Sequence, residues 1–129
     1  MFKAKDLMTR STVTVGPDTP IYEALRKLAD HGITGLPVVS EDGTLLGILS
    51  EKDVLRLLYE EHAKDKQVSD YMTPDVVSFD ENDTLVDICE CLIQHDFRRV
   101  PILSEGKLAG IISRTDMIRY ILKLRKADA

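Results

Sequence analysis

Apolar residues recur along the chain in two alternating patterns. Short β-rich runs, Val13-Thr14-Val15 and Val76-Val77-Ser78-Phe79, end in turn residues and predict strands. Thr19-Pro20 then opens a helix, with Thr as N-cap and Pro in the first position, and Asp83-Thr84 takes the same place further on. The helices carry one-face stripes, Ile21, Leu25, Leu28 in one and Leu85, Ile88, Cys89, Leu92 in the other. Leu36-Pro37-Val38-Val39 and Val100-Pro101-Ile102-Leu103 follow, each joined through a Gly-containing turn to a second apolar run, Leu45 to Leu49 or Leu108 to Ile112. That pattern predicts hairpins. A second helix closes each series, at about 51–60 and 114–124. Strand, helix, strand, strand, helix therefore occurs twice.

The two series are one unit written twice. At an offset of 64, Met8-Thr9 falls on Met72-Thr73, Leu28 on Leu92, His31 on His95 and Pro37 on Pro101. Near Asp42 the offset drops to 63, as if one turn had lost a residue. Gly47-Ile48 then meets Gly110-Ile111, Ser50 meets Ser113 and Asp53 meets Asp116. The repeats run 7–60 and 71–124, with the polar stretch 61–70 as linker. Units this small do not hold a core alone, so the two share one α/β module of two β-α-β-β-α repeats.

The second helices carry more apolar surface than one core needs. Val54, Leu55, Leu57, Leu58 and Tyr59 spread over roughly 200° at about 100° per residue. Met117, Ile118, Tyr120, Ile121, Leu122 and Leu124 do the same. The excess predicts a further buried face, between the units or between two chains, and Val54, Leu58, Ile118 and Leu122 are among its candidates.

Composition narrows the function. At 129 residues, 43% hydrophobic and 30% charged, the chain has the balance of a soluble folded protein rather than a disordered one. No apolar run reaches the roughly 18 residues of a membrane span. Charges at Lys3, Lys5 and Asp6 leave no secretory signal. A formal net charge of −5 argues against a general nucleic-acid or anionic-membrane surface, while a local basic patch can still hold phosphate. Cys89 and Cys91 are two apart on a predicted helix and point away from each other. They form no bridge within the chain, and a reducing cytoplasm is the expected location. No P-loop, His-Glu-x-x-His or Gly-x-Ser-x-Gly motif is present, so the chain is not expected to be an enzyme.

The repeated segments resemble a known family. Leu7-Met8-Thr9 and Asp70-Tyr71-Met72-Thr73 open the repeats. Ile33-Thr34-Gly35-Leu36-Pro37-Val38-Val39 and Phe97-Arg98-Arg99-Val100-Pro101-Ile102-Leu103 form their middle. Leu46-Gly47-Ile48-Leu49-Ser50-Glu51-Lys52-Asp53 and Ala109-Gly110-Ile111-Ile112-Ser113-Arg114-Thr115-Asp116 close them. Each looks like a CBS motif, named for cystathionine β-synthase, and together they resemble a tandem pair, or Bateman module.

The resemblance implies an α/β (α+β) fold with pseudo-two-fold symmetry and a regulatory role. Adenine nucleotides (AMP, ADP or ATP) or related adenosyl compounds would bind as regulatory ligands in clefts between the motifs, with no catalytic cofactor; a metal is not expected either, because Cys-x-Cys on a helix splays its ligands. It further implies signalling to an unidentified protein target, and often a homodimer. Carried over residue by residue, Ser50, Asp53, Ser113 and Asp116 meet the ribose. Val13, Ile33 and Pro37, with Val77, Phe97 and Pro101, hold the base. Arg98, Arg99 and Arg114, with Thr115 and Lys52, meet phosphate. The second repeat is expected to make the better nucleotide site, because Thr34, Gly35 and Glu51 stand in the first where the three arginines stand in the second.

The chemistry is sound in its own right. A carboxylate accepts two hydrogen bonds from a vicinal diol, and Arg offers a planar charged fork to phosphate. The same residues also have plainer readings. Ser-x-x-Asp is an ordinary capping box. Arg98-Arg99 can be a solvated pair, and Phe97 and Ile33 can be core. Cys89 takes the slot of Leu25 and is expected in the core; Cys91 takes that of Lys27 and is expected exposed. Two other functions stand beside the sensor: an interaction module whose clefts are vestigial, and a nucleotide-hydrolysing enzyme.

Overall fold

Hydrophobic residues of the chain collect into two cores, one in each of two compact units, contrary to the expectation that units this small hold no core of their own. The computed structural model describes residues 2–10 and 12–128, the side chains of 126–128 excepted. One unit is Val13–Val76; in the other, the opening segment up to Thr12 joins Val77 onward.

The unit Val13–Val76 contains α1 (Ile21–His31), β1 (Gly35–Val39), β2 (Leu45–Ser50), α2 (Glu51–Leu55) and β3 (Thr73–Pro74). The antiparallel sheet has the order β1-β2-β3, and Val15 adds a single parallel bridge to Val38. Ile21 and Leu28 of the predicted stripe are buried against Leu36, Val38 and Leu49, but the third buried position of α1 is Ala24, and Leu25 is half-buried. Gly32 ends α1 at φ 60, a left-handed turn that glycine enters without steric cost.

The other unit contains β4 (Phe79–Asp80), α3 (Leu85–Gln94), β5 (Arg99–Ser104), β6 (Lys107–Ser113) and α4 (Arg114–Asp128). Its sheet has the order β4-β5-β6, with β4 parallel to β5. Thr9 adds an antiparallel bridge to Ile111. The missing residue near Asp42 is visible in the turns. Glu105-Gly106, both at positive φ, make a two-residue hairpin in which Ser104 pairs with Lys107. The first hairpin is longer by one residue and uses Gly43 at φ 89.

Sequence repeat and compact unit therefore differ in their first segment. Thr73, which opens the second repeat, pairs with Ile48 of the first. Thr9, which opens the first repeat, pairs with Ile111 of the second. The exchange is fastened on both sides by equivalent bonds. Ile21 N–H donates to Lys66 C=O at 3.0 Å, and Leu85 N–H to Phe2 C=O at 3.2 Å.

Several local expectations need correction. Pro20, not Thr19, is the N-cap of α1, because its ψ of 137° lies outside the helix; Thr19 Oγ1 instead accepts from Gly16 N–H at 3.1 Å. Likewise Thr84, the equivalent of Pro20, and not Asp83, caps α3, its hydroxyl accepting from Asp87 N–H. The second helix of the first repeat is α-helical only to Leu55 and continues as a 3-10 turn, Arg56–Tyr59. The strand predicted from residue 76 begins at Phe79. Cys91, not Cys89, packs against its core, and both thiols are half-buried.

Tyr71, the first residue after the linker, is anchored in the first core. Its ring is buried, its hydroxyl donates to the Glu60 carboxylate, and Arg56 lies over its face, 5.8 Å from the centroid. The bond to Glu60, then burial, pushes its pKa up to about 12. The raised value means that the neutral phenol is favoured on folding. Its stabilisation is complete below the usual tyrosine pKa of about 10 and is lost as pH rises through about 12. In an ultraviolet titration Tyr71 will give a late step near pH 12, and Tyr71→Phe will remove that step. A late step that survives the substitution would contradict this.

Candidate functional site

Each hairpin ends where a helix begins, and that corner gathers the candidate residues. In the unit Val13–Val76, β2 runs out at Ser50, the N-cap of α2, with extended φ and ψ of −105° and 166°. Ser50 Oγ accepts from Asp53 N–H at 3.3 Å, and Asp53 Oδ2 accepts from Ser50 N–H at 2.9 Å, which closes a capping box. Ser50 Oγ also donates to Asp53 Oδ2 at 2.9 Å. Thr73 Oγ1 donates to the same carboxylate, 3.2 Å from Oδ1 and 3.4 Å from Oδ2. Asp53 is thus held by a residue from the exchanged segment. The repeated Met-Thr was the sequence signal for Thr73, but it marks a repeat boundary and names no partner.

The other unit repeats the corner. Asp116 Oδ2 accepts from Ser113 N–H at 2.9 Å, and Ser113 Oγ accepts from Asp116 N–H at 3.1 Å. Ser113 pairs with Arg99 across β5 and β6. Arg114 N–H donates to Arg98 C=O at 3.0 Å, so the backbones of Arg98, Arg99 and Arg114 meet at one end of one hairpin. The equivalent bond in the first unit runs from Glu51 N–H to Thr34 C=O, also 3.0 Å. The two corners therefore share one backbone and differ in charge. A guanidinium within about 4 Å of a phosphate gains a few kcal/mol at an effective dielectric near 20, and a carboxylate loses about as much; salt shrinks both.

The remaining candidates divide by burial. Ile33 and Phe97 immediately precede the corner residues Thr34 and Arg98 and are half-buried against their cores. Phe97 stacks on His95, with ring centroids 5.0 Å apart and planes inclined by 16°. Val13 packs against the first core, whereas Val77 is 42% exposed. Lys52 and Thr115 are exposed on the first turns of α2 and α4. Pro37 and Pro101 are fully buried within their sheets, so neither ring offers a face to a base, and both drop out as stacking surfaces. Arg114 also faces Asp96, a residue not singled out in the sequence, at 3.3 Å. With Cys89, Leu92, Ile93 and Met117 it lines a groove of about 380 Å³. Among the described residues no group of His, Cys, Asp and Glu is placed to hold a metal, and no helix is long and apolar enough to cross a membrane.

This paired architecture is that of known proteins. The CBS domain family matches residues 4–60 and 68–123. The crystal structure of CBSX2, a CBS-pair protein from Arabidopsis thaliana, superposes with a TM-score of 0.89 at 31% identity, covering 97% of each chain. A second structure, CBSX2 in complex with AMP, gives 0.88 at 33% identity, covering 97% of this chain and 99% of the other. The CBS domain-containing protein YhcV of Bacillus subtilis is 35% identical over 118 residues, 91% of this chain and 84% of its own length. The uncharacterized protein MJ1225 of Methanocaldococcus jannaschii is 30% identical over 117 residues, 91% of this chain, and the match spans 42% of its length. The chain belongs to the CBS domain family and is a tandem pair of CBS domains.

Proposed function

We propose that the chain is a regulatory module that binds an adenine nucleotide and passes its occupancy to a protein target, without catalysing a reaction itself. The observation that carries this reading is that the backbone places Arg98, Arg99 and Arg114 at the same hairpin end as the Ser113–Asp116 corner. An acceptor for a ribose diol and a fork for phosphate then lie together on a chain whose net charge is −5. The AMP complex of CBSX2 supports the same ligand class. In this reading Ser50, Asp53, Ser113 and Asp116 take ribose. Val13, Ile33, Val77 and Phe97 take the base, and Arg98, Arg99 and Arg114, with Thr115 and Lys52, take phosphate. The arginine-bearing corner is the stronger site; the corner with Glu51 favours an uncharged adenosyl group or binds weakly. The cytoplasm, where both thiols stay reduced, suits such a sensor. Calorimetry of purified protein against AMP, ADP and ATP tests the reading. Saturable binding of at least one of them is expected, and no heat with any of the three, or hydrolysis of ATP on incubation, would count against it.

Self-association belongs to the same proposal. Val54 packs on its core, but Leu58 is 80% exposed, Ile118 57% and Leu122 59%. Symmetric pairing of two copies is the commonest way to cover such faces. Light scattering at tens of micromolar is expected to give a dimer mass. Leu58→Glu with Ile118→Glu is expected to shift it to the monomer. A monomer mass for the unmodified chain would remove this part of the proposal.

A further inference from the structure

Asp96 follows the end of α3 by two positions, and its side chain is wholly exposed. Oδ1 lies 3.3 Å from an Nη of Arg114. Arg114 is the first residue of α4, fifteen residues long, whose leading N–H groups favour negative charge. The carboxylate thus holds the guanidinium of the residue that opens the helix, at the hairpin end that also carries Arg98 and Arg99. In the other unit Gly32 and Glu51 occupy the two equivalent positions, so no such pair is possible there.

Resting on the nucleotide reading above, we infer that Asp96 is an internal competitor for phosphate at Arg114. Its carboxylate holds the guanidinium until a ligand of higher charge displaces it. Asp96 then grades ligands by their phosphate charge. A neutral nucleoside gains nothing from displacing it, whereas a phosphate dianion outcompetes a single carboxylate. Exposed ion pairs are weak, so the device tunes affinity by about two- to fivefold.

Calorimetry of the full chain tests this with wild type, Asp96→Asn, Arg114→Ala and the double variant. The probes are AMP, adenosine and inorganic pyrophosphate, at low and at high salt. Asp96→Asn is expected to bind AMP and pyrophosphate about two- to fivefold tighter, with adenosine unchanged and the gain shrinking as salt rises. The gain is expected to vanish in the Arg114→Ala background. Equal or weaker binding of both phosphates by Asp96→Asn overturns the inference. So does an equal gain for adenosine, or a gain that persists without Arg114. If wild type takes up no AMP, the nucleotide reading fails separately. Pyrophosphate then decides: a gain on Asp96→Asn supports the competitor role, and no gain overturns it.

Discussion

Gly47→Ala will lower stability by about 2–3 kcal/mol, roughly 10 °C in melting temperature. A Cβ at this position would lie 2.6 Å from the carbonyl oxygen of Thr73 and 3.2 Å from Met72 Sδ. The nearest obstacle is backbone, so no side-chain rotation relieves it. β3 must move away from β2, and the Thr73 hydroxyl leaves Asp53 with it. Gly110 stands in the same relation to the opening segment, 2.7 Å from Thr9 carbonyl oxygen and 2.9 Å from Met8 Sδ, and Gly110→Ala should cost as much. Gly16 supplies the control. Its added Cβ would meet nothing closer than Thr19 Oγ1 at 3.7 Å, an ordinary contact. Thermal melts of the three variants decide the matter, and equal melting temperatures for Gly16→Ala and Gly47→Ala would show that the close approach is not needed.

Asp116→Ala is expected to weaken AMP binding on the order of a hundredfold, through two lost hydrogen bonds to a charged acceptor. The loss has a second component, because Asp116 also accepts from Ser113 N–H and starts α4; removing that cap costs about 1 kcal/mol of stability. Asp116→Asn separates the two. Its amide oxygen can still accept from Ser113 N–H, so the fold should be kept while binding falls about tenfold. Asp53 already takes bonds from Ser50 N–H, Ser50 Oγ and Thr73 Oγ1, and its neighbour Glu51 repels phosphate. Asp53→Ala should therefore leave the tight site unchanged. If Asp53→Ala abolishes tight binding and Asp116→Ala does not, the assignment of the stronger site is reversed.

How legible these features were depended on whether they are local. The hairpins, the two capping boxes and the buried stripe of α1 follow from patterns within a dozen residues, where period and turn chemistry act directly. The dropped residue near Asp42 correctly anticipated two turns of different length. The pairings of Thr9 with Ile111 and of Thr73 with Ile48 rest on single short contacts far apart in sequence, which carry no periodicity to detect. Asp96 escaped notice because a polar residue after a helix is ordinary until its neighbour is known. The prolines misled for a similar reason. Apolar character suits equally a ligand-facing surface and the middle of a sheet, and burial decided for the sheet. Neither Cys89 nor Cys91 takes its expected place, both being half-buried, because α3 carries apolar side chains on more than one face, among them the exposed Val86 and Ile93, so the stripe does not define a single inward direction.

The exchanged opening segments set an order of events during synthesis. Thr73 follows closely behind the hairpin it completes, so the Val13–Val76 unit can close while the second repeat is still being made. Met8 and Thr9 leave the ribosome well ahead of the rest of their unit, and their sheet does not exist until Ile111 has been added about a hundred residues later. At translation rates of about 5–20 residues per second that wait lasts roughly 5–20 s. Throughout it Met8 and its neighbour Ala4, both buried in the finished unit, have no core to enter.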